Sequence, residues 1–204
     1  MSVSGKVALI TGAGSGLGRA AAIQLAEAGA RIAALGRTGD DLQATVDRIV
    51  AEGGQAVAVE ADISRPAEMQ AAASQIEQQW GRLDIVFANA GINGVWAPIE
   101  DLAPEEWTKT LTVNLTGTFL TLKYAVPLLR RQGGSVIITS SVNGTRMFSN
   151  AGASAYSASK AGQVALAKMA ALELAKYKIR VNVICPGWIE TEIDDNTEKR
   201  NVDK

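Results

Sequence analysis

The chain has 204 residues, 47 % hydrophobic and 20 % charged, with 20 basic side chains against 21 acidic ones. That is core material for one domain without the cationic excess of a nucleic-acid surface. It has no histidine and one cysteine, Cys185, which excludes Ser-His-Asp and Cys-His catalysis, His-ligated metals, intrachain disulfides and Cys-rich zinc sites. No apolar run approaches the ~20 residues that span a bilayer, and Met1 to Lys6 lacks the apolar stretch of a signal peptide. A cytoplasmic location with no membrane, nucleic-acid or metal partner is expected.

Residues 7–10 form a short apolar run of the kind a parallel sheet buries on both faces. An Ala-rich helical segment over 19–28 is closed by Gly29 at a C′ position. The second strand falls at 31–35, and Leu42, Val46, Ile49 and Val50 then recur at helical spacing up to Gly53 and Gly54. After a third strand at 56–60, Met69, Ala73, Ile76 and Trp80 predict a helix with Ser64 as its N-cap and Gly81 as its stop. The fourth strand is 83–88. A long helical stretch from about 104 to 132 starts with Pro104 in its first turn. Its middle, with several Thr, Asn114 and Gly117, is poor helix material. Residues 135–139, 156–176 and 180–185 predict a strand, a helix and a sixth strand, ended by Pro186 and Gly187. Strict alternation predicts one α/β domain over residues 1–190, a doubly wound parallel β-sheet of Rossmann-like type. Residues 191–204 hold five acids and three bases, with only Ile193 and Val202 apolar. They read as a polar tail unable to order itself as an independent element.

Between the first strand and first helix, Gly12, Ser15, Gly16, Leu17 and Gly18 make a Gly-rich turn. Glycines there permit a tight bend and let a pyrophosphate approach a helix N-terminus. The GxxxGxG spacing is not the strict GxGxxG, and no Lys-Ser or Lys-Thr follows as in a P-loop. Alone, the turn reads as a nucleotide site or as structure. Where an NAD site carries an acid at the end of the second strand, this chain has Gly36 and Arg37. A guanidinium suits a 2′-phosphate, favouring NADP(H) over NAD(H); a solvated loop Arg is the plain alternative. Asp62, followed by Ile63, ends the third strand where an adenine could be met, or is a turn Asp. Of three tyrosines only Tyr156 has a lysine four residues on, Lys160. On a helix the two share a face, and an ammonium there brings a tyrosine from ~10 toward the range useful in acid–base work. A surface Tyr–Lys pair is the bland counterpart.

Taken together, Thr11-Gly12…Gly16…Gly18, Asn89-Ala90-Gly91, Asn114, Ser140-Ser141, Tyr156…Lys160 and Pro186-Gly187…Thr191 stand in the order of the short-chain dehydrogenase/reductase family. The chain resembles that family up to about Thr191. The resemblance implies an NAD(P)(H)-dependent oxidoreductase interconverting a secondary alcohol and a carbonyl by hydride transfer. Tyr156 would be the acid/base and Lys160 its pKa-lowering neighbour on the nicotinamide ribose. Ser141, rather than its neighbour Ser140, would bond the substrate oxygen, and Asn114 would hold a water of the proton relay. Asn89, Ala90 and Gly91 would line the adenosine side, while Pro186, Gly187, Ile189 and Thr191 would flank the nicotinamide. The resemblance further implies a helix and strand beyond the point where this sequence stops, so the chain reads as C-terminally truncated, with Trp188 and Cys185 left uncovered. A homodimer or homotetramer through the Asn114 and Tyr156 helices would be the habit of the full-length parent. A dinucleotide-binding but inactive truncated fragment is the alternative. A methyltransferase would want an acid ending the second strand and has no use for the Tyr–Lys pair. The substrate itself stays unspecified, because specificity lies in loops.

Overall fold

Val7 and Leu9 face one side of strand β1 (Val7–Thr11) and Ala8 and Ile10 the other, and each pair joins a different core. The computed structural model, which describes residues 2–146, 151–191, 193 and 197–202, extends this two-sided arrangement into one sheet. Parallel strands β2 (Arg31–Gly36), β3 (Gln55–Glu60), β4 (Ile85–Ala88), β6 (Gly134–Thr139) and β7 (Ile179–Ile184) join β1 in the order β3-β2-β1-β4-β6-β7. Helices α1 (Gly16–Glu27) and α2 (Gly39–Ala51) pack Ala22, Ile23, Leu42 and Ile49 against Ala8, Ile10 and Ile32. On the opposite face, α3 (Pro66–Trp80), α5 (Gly117–Leu129) and α6 (Ser154–Leu174) bring Met69, Ile76, Leu120, Leu129 and Ala167 onto Val7, Leu9 and Val136. The chain winds outward through β2 and β3, then crosses back to β4. The reversal therefore lies between β1 and β4, and the carboxyl ends of those strands open a crevice.

The long central helix is interrupted where its sequence is weakest. Helix α4 (Pro104–Leu111) runs into a π-helical turn (Thr112–Thr116) before α5 begins. Gly81 stops α3 with φ +67, as its position predicts. Ser64 does not cap that helix. Pro66 forces the residue before it into extended backbone, so Arg65 occupies the N-cap position with no side-chain bond. Ser64 instead donates its N–H (2.8 Å) and hydroxyl (2.7 Å) to Asp62 Oδ1.

Two short strands have no counterpart in the sequence reading. β5 (Val95–Trp96) pairs in parallel with β8 (Glu198–Lys199), tying part of the polar tail to the body. Arg200 N–H donates to the Trp96 carbonyl at 2.8 Å, and its guanidinium bonds Glu106 at 2.7 Å. Order here comes from a partner segment and an ion pair, not from apolar burial within the tail. Along β7, Arg180 and Asn182 are exposed, and beyond the strand Trp188 is 84 % exposed while Cys185 is half-buried. Among the described residues, no helix is long and apolar enough to cross a membrane, and no group of three His, Cys, Asp or Glu could hold a metal.

Candidate active site

The Gly-rich turn is set by backbone constraints before any side chain matters. Gly12 has φ +70, and a Cβ on Gly18 would lie 1.9 Å from the Gly12 carbonyl oxygen. No other residue fits at position 18 with the loop in this path. Arg19 bonds the Gly14 carbonyl and, through Nε, the Thr45 hydroxyl at 3.2 Å; Thr45 donates to the Ala13 carbonyl at 3.0 Å. Ser15, the N-cap of α1, makes no side-chain cap bond, so the first N–H groups of the helix remain available to an anion. A dinucleotide fits this cradle, because its pyrophosphate supplies the acceptors the helix end lacks and the glycines leave its approach open.

Beside the turn lies a cleft of about 190 Å³ lined by Gly12, Ser15, Arg37, Asp62, Ile63, Ala90 and Gly91, all expected here, and by Thr38, Asp41, Ile92 and Val113, which sequence reading did not single out. Those four sit on loops or helix turns that reach the rim only through tertiary packing, and only Asp41, an acid in the first turn of a helix, carried a local signal. Arg37 is exposed at the rim. Burial would push the Asp62 carboxyl up, but the Ser64 bonds and the charges of Arg37 and Arg65 hold it below its usual value. Asn89 works differently from its neighbours. Thr11 Oγ1 accepts from the Asn89 and Ala90 N–H groups at 2.9 and 3.0 Å, and Asn89 Oδ1 accepts from Thr139 at 3.2 Å. Asn89 thus laces together the ends of β1, β4 and β6.

The expected catalytic residues converge on the same end of the sheet. Lys160 is 4 % exposed, and its ammonium donates to the Thr139 carbonyl at 2.9 Å, 5.5 Å from the centroid of the Tyr156 ring. Burial pushes the Lys160 ammonium down to about 8, with Cys185 acting in the opposite direction. Asn114, fully buried in the π-helical turn, donates to the Ile92 carbonyl (2.9 Å) and Ser159 Oγ (3.0 Å) and accepts from Ile92 N–H (2.8 Å). A Cβ on Gly91 would come within 3.1 Å of Asn114 Oδ1 and 3.6 Å of Lys160 Nζ. The glycine therefore keeps open the space those two groups share. The two serines separate cleanly. Ser140 donates its hydroxyl to the Lys160 carbonyl at 2.8 Å. Ser141 Oγ accepts from Asn143 N–H at 3.2 Å, and its proton goes to none of the described residues.

The loop after β7 is drawn toward the turn. The Pro186 carbonyl accepts from Val142 N–H at 3.0 Å. Ile189, Glu190 and Thr191 face Gly16 and Leu17 across an open cleft of about 610 Å³. Gly187 lies in the same loop with open space where a Cβ would be. Part of the expected substrate-side loop, 147–150, lies outside the described residues.

A nucleotide crevice at a sheet reversal, joined to a buried lysine beside a tyrosine, is the arrangement of a dinucleotide-dependent oxidoreductase. The chain belongs to the short chain dehydrogenase family, whose model matches residues 6–202. It is similar to the crystal structure of a 3-ketoacyl-ACP reductase from Sinorhizobium meliloti 1021 (56 % identity, TM-score 0.93, covering 97 % of this chain and 78 % of that one). Among curated proteins it is similar to levodione reductase of Leifsonia aquatica (38 % identity, 96 % of this chain, 73 % of the relative). Cyclohexanol dehydrogenase of Acinetobacter sp. (strain SE19) is 40 % identical over 92 % of this chain and 74 % of its own. The protein is an NAD(P)-dependent oxidoreductase that interconverts an alcohol and the corresponding carbonyl compound.

Proposed function

We propose that Tyr156 is the acid/base of this reaction, with Lys160, Ser141 and Asn114 as its partners. The observation that carries the reading is the buried Lys160 ammonium, anchored on the Thr139 carbonyl beside the Tyr156 ring. In reduction Tyr156 gives its phenolic proton to the carbonyl oxygen of the substrate; in oxidation it takes the proton from the alcohol. The Lys160 charge stabilises the phenolate left behind. Ser141, whose hydroxyl proton is free of the described residues, orients the substrate oxygen, while Ser140 is committed to the α6 backbone. Asn114 Oδ1 and Lys160 Nζ flank the space above Gly91, which is where a relay water would be held.

The coenzyme, when bound, supplies the hydride acceptor or donor. Gly12, Ser15, Gly16, Leu17 and Gly18 would hold its pyrophosphate, and Arg37, Asp62, Ile63, Asn89, Ala90 and Gly91 would hold or frame its adenosine. Tyr156 and Lys160 would reach the nicotinamide ribose, with Pro186, Gly187, Ile189 and Thr191 beside the nicotinamide. The preferred coenzyme is NADP(H). Strand β2 ends in Gly36 without an acid, and the exposed guanidinium of Arg37 on the rim is complementary to a 2′-phosphate. A cytoplasmic enzyme that is a homodimer or homotetramer completes the proposal.

The test is Tyr156→Phe, assayed on whichever secondary alcohol the wild-type chain oxidises from a panel that includes cyclohexanol. Turnover is expected to disappear while NADPH titration by nicotinamide fluorescence stays close to wild type. A variant within tenfold of wild-type kcat would overturn the assignment.

A further inference from the structure

Helix α6 presents Tyr156, Ser159, Lys160 and Gln163 at the i, i+3, i+4 and i+7 positions of one face. Three of these belong to the network already described. Gln163, fully buried, does not. Its Nε2 group donates to the Asn114 carbonyl at 2.9 Å and to Thr118 Oγ1 at 2.7 Å. Thr118 in turn donates to the same Asn114 carbonyl at 2.7 Å, so the direction of each bond is fixed by chemistry: the carbonyl can only accept. Both amide protons of Gln163 are used. Its Oε1 is buried and accepts from none of the described residues.

A side chain serving only to fill this space would be better as leucine or methionine, which leave no buried acceptor unmet. What the amide provides is a donor for a carbonyl in the π-helical turn, where the inserted residue breaks the usual i to i−4 ladder. The bonds then close a ring. Gln163 holds the main chain of Asn114, Asn114 Nδ2 holds Ser159 Oγ, and Ser159 Oγ donates to the Tyr156 carbonyl at 2.7 Å. α6 is thereby clipped to the π-turn at two points on either side of Lys160. We infer that Gln163 is a positioning residue for the reaction: by holding the Asn114 main chain it fixes Asn114 Oδ1 relative to Lys160 Nζ, and so the proton path that recharges Tyr156. The inference rests on the catalytic reading above.

Gln163→Leu removes the donors at near-constant volume. The variant is expected to fold and to bind NADPH and substrate within about threefold of wild type, with kcat down about tenfold or more and the acid limb of its pH profile displaced by about one unit. A wild-type kcat and profile, or a loss confined to KM or melting temperature with the profile unmoved, would overturn it. If Gln163→Leu does not fold, Gln163→Glu takes its place. Its kcat deficit should lessen as pH falls and the buried carboxyl regains a proton to donate; a deficit constant from pH 5 to 9 would refute the role. Tyr156→Phe run alongside separates the two ideas. An active Tyr156→Phe removes the catalytic reading itself, whereas an inert one beside a wild-type-like Gln163→Leu removes only the inference about Gln163.

Discussion

The two sides of the crevice are built by different means. On the coenzyme side the determinants are mostly backbone: a turn closed so tightly on Gly12 and Gly18 that a methyl group cannot enter, and a helix end with unmet N–H groups. On the other side they are side chains gathered from distant positions, Asn114 from the π-turn and Tyr156, Lys160 and Gln163 from α6, with Lys160 anchored on the main-chain carbonyl of Thr139 in β6. Backbone sites are rigid and intolerant of any added atom. Side-chain sites degrade by degrees where a polar group has several partners, as Asn114 and Gln163 do.

That contrast is sharpened most by Gly18→Val, which should weaken NADPH by more than about a hundredfold through strain of ~3 kcal/mol or more. Fluorescence titration would read it, and near-native affinity would break the contrast. Next in size is the linkage of Lys160 to pH. Its proton is held only to about 8 when folded, against 10.5 for a lysine in water. The folded value is the lower, so between those limits the unfolded chain binds the extra proton and stability rises with pH. Denaturant melts should therefore show wild type gaining about 3 kcal/mol of stability relative to Lys160→Met as pH climbs from 8 toward about 10.5. A pH-independent difference would mean the ammonium is not desolvated. Arg37→Ala should cost NADPH about tenfold more affinity than NADH. Equal losses would move the choice to Asp41, the carboxylate on the same rim. Smallest of all is Arg200→Ala at the tail. Loss of its partly exposed ion pair with Glu106 should lower the melting temperature only slightly with kcat and coenzyme affinity unchanged, and a fall in kcat would place the tail nearer the chemistry than its bonds suggest.

The same contrast explains what the sequence could disclose. The strands from β1 to β4, with β6 and β7, and the shared helix face of Tyr156 and Lys160 were all legible, because short apolar runs, glycine at turns and i, i+4 spacing are local properties. The π-turn showed itself only as poor helix material around Asn114. Ser64 misled because an N-cap preference competes with an Asx-type turn, and Pro66 decided between them. β5 and β8 are two residues each and exist only as a pair, so no window of sequence contains them. Gln163 carried a faint signal, an amide on the face shared with Tyr156 and Lys160, but its partner is a main-chain carbonyl that only the fold brings near.

The tail bonds have a consequence for the order of assembly. Asn93 joins Thr197 across 104 positions, Asp101 joins Asn201 across 100, and Glu106 joins Arg200 across 94. Loops of that length close only after their anchors are in place. The anchors are β5 and α4, which follow the central strands β1 and β4 in the chain. The tail bonds therefore form only once β5 and α4 have docked. Among its described residues the tail is held by a few hydrogen bonds and a partly exposed ion pair, contacts of the kind that open at small cost.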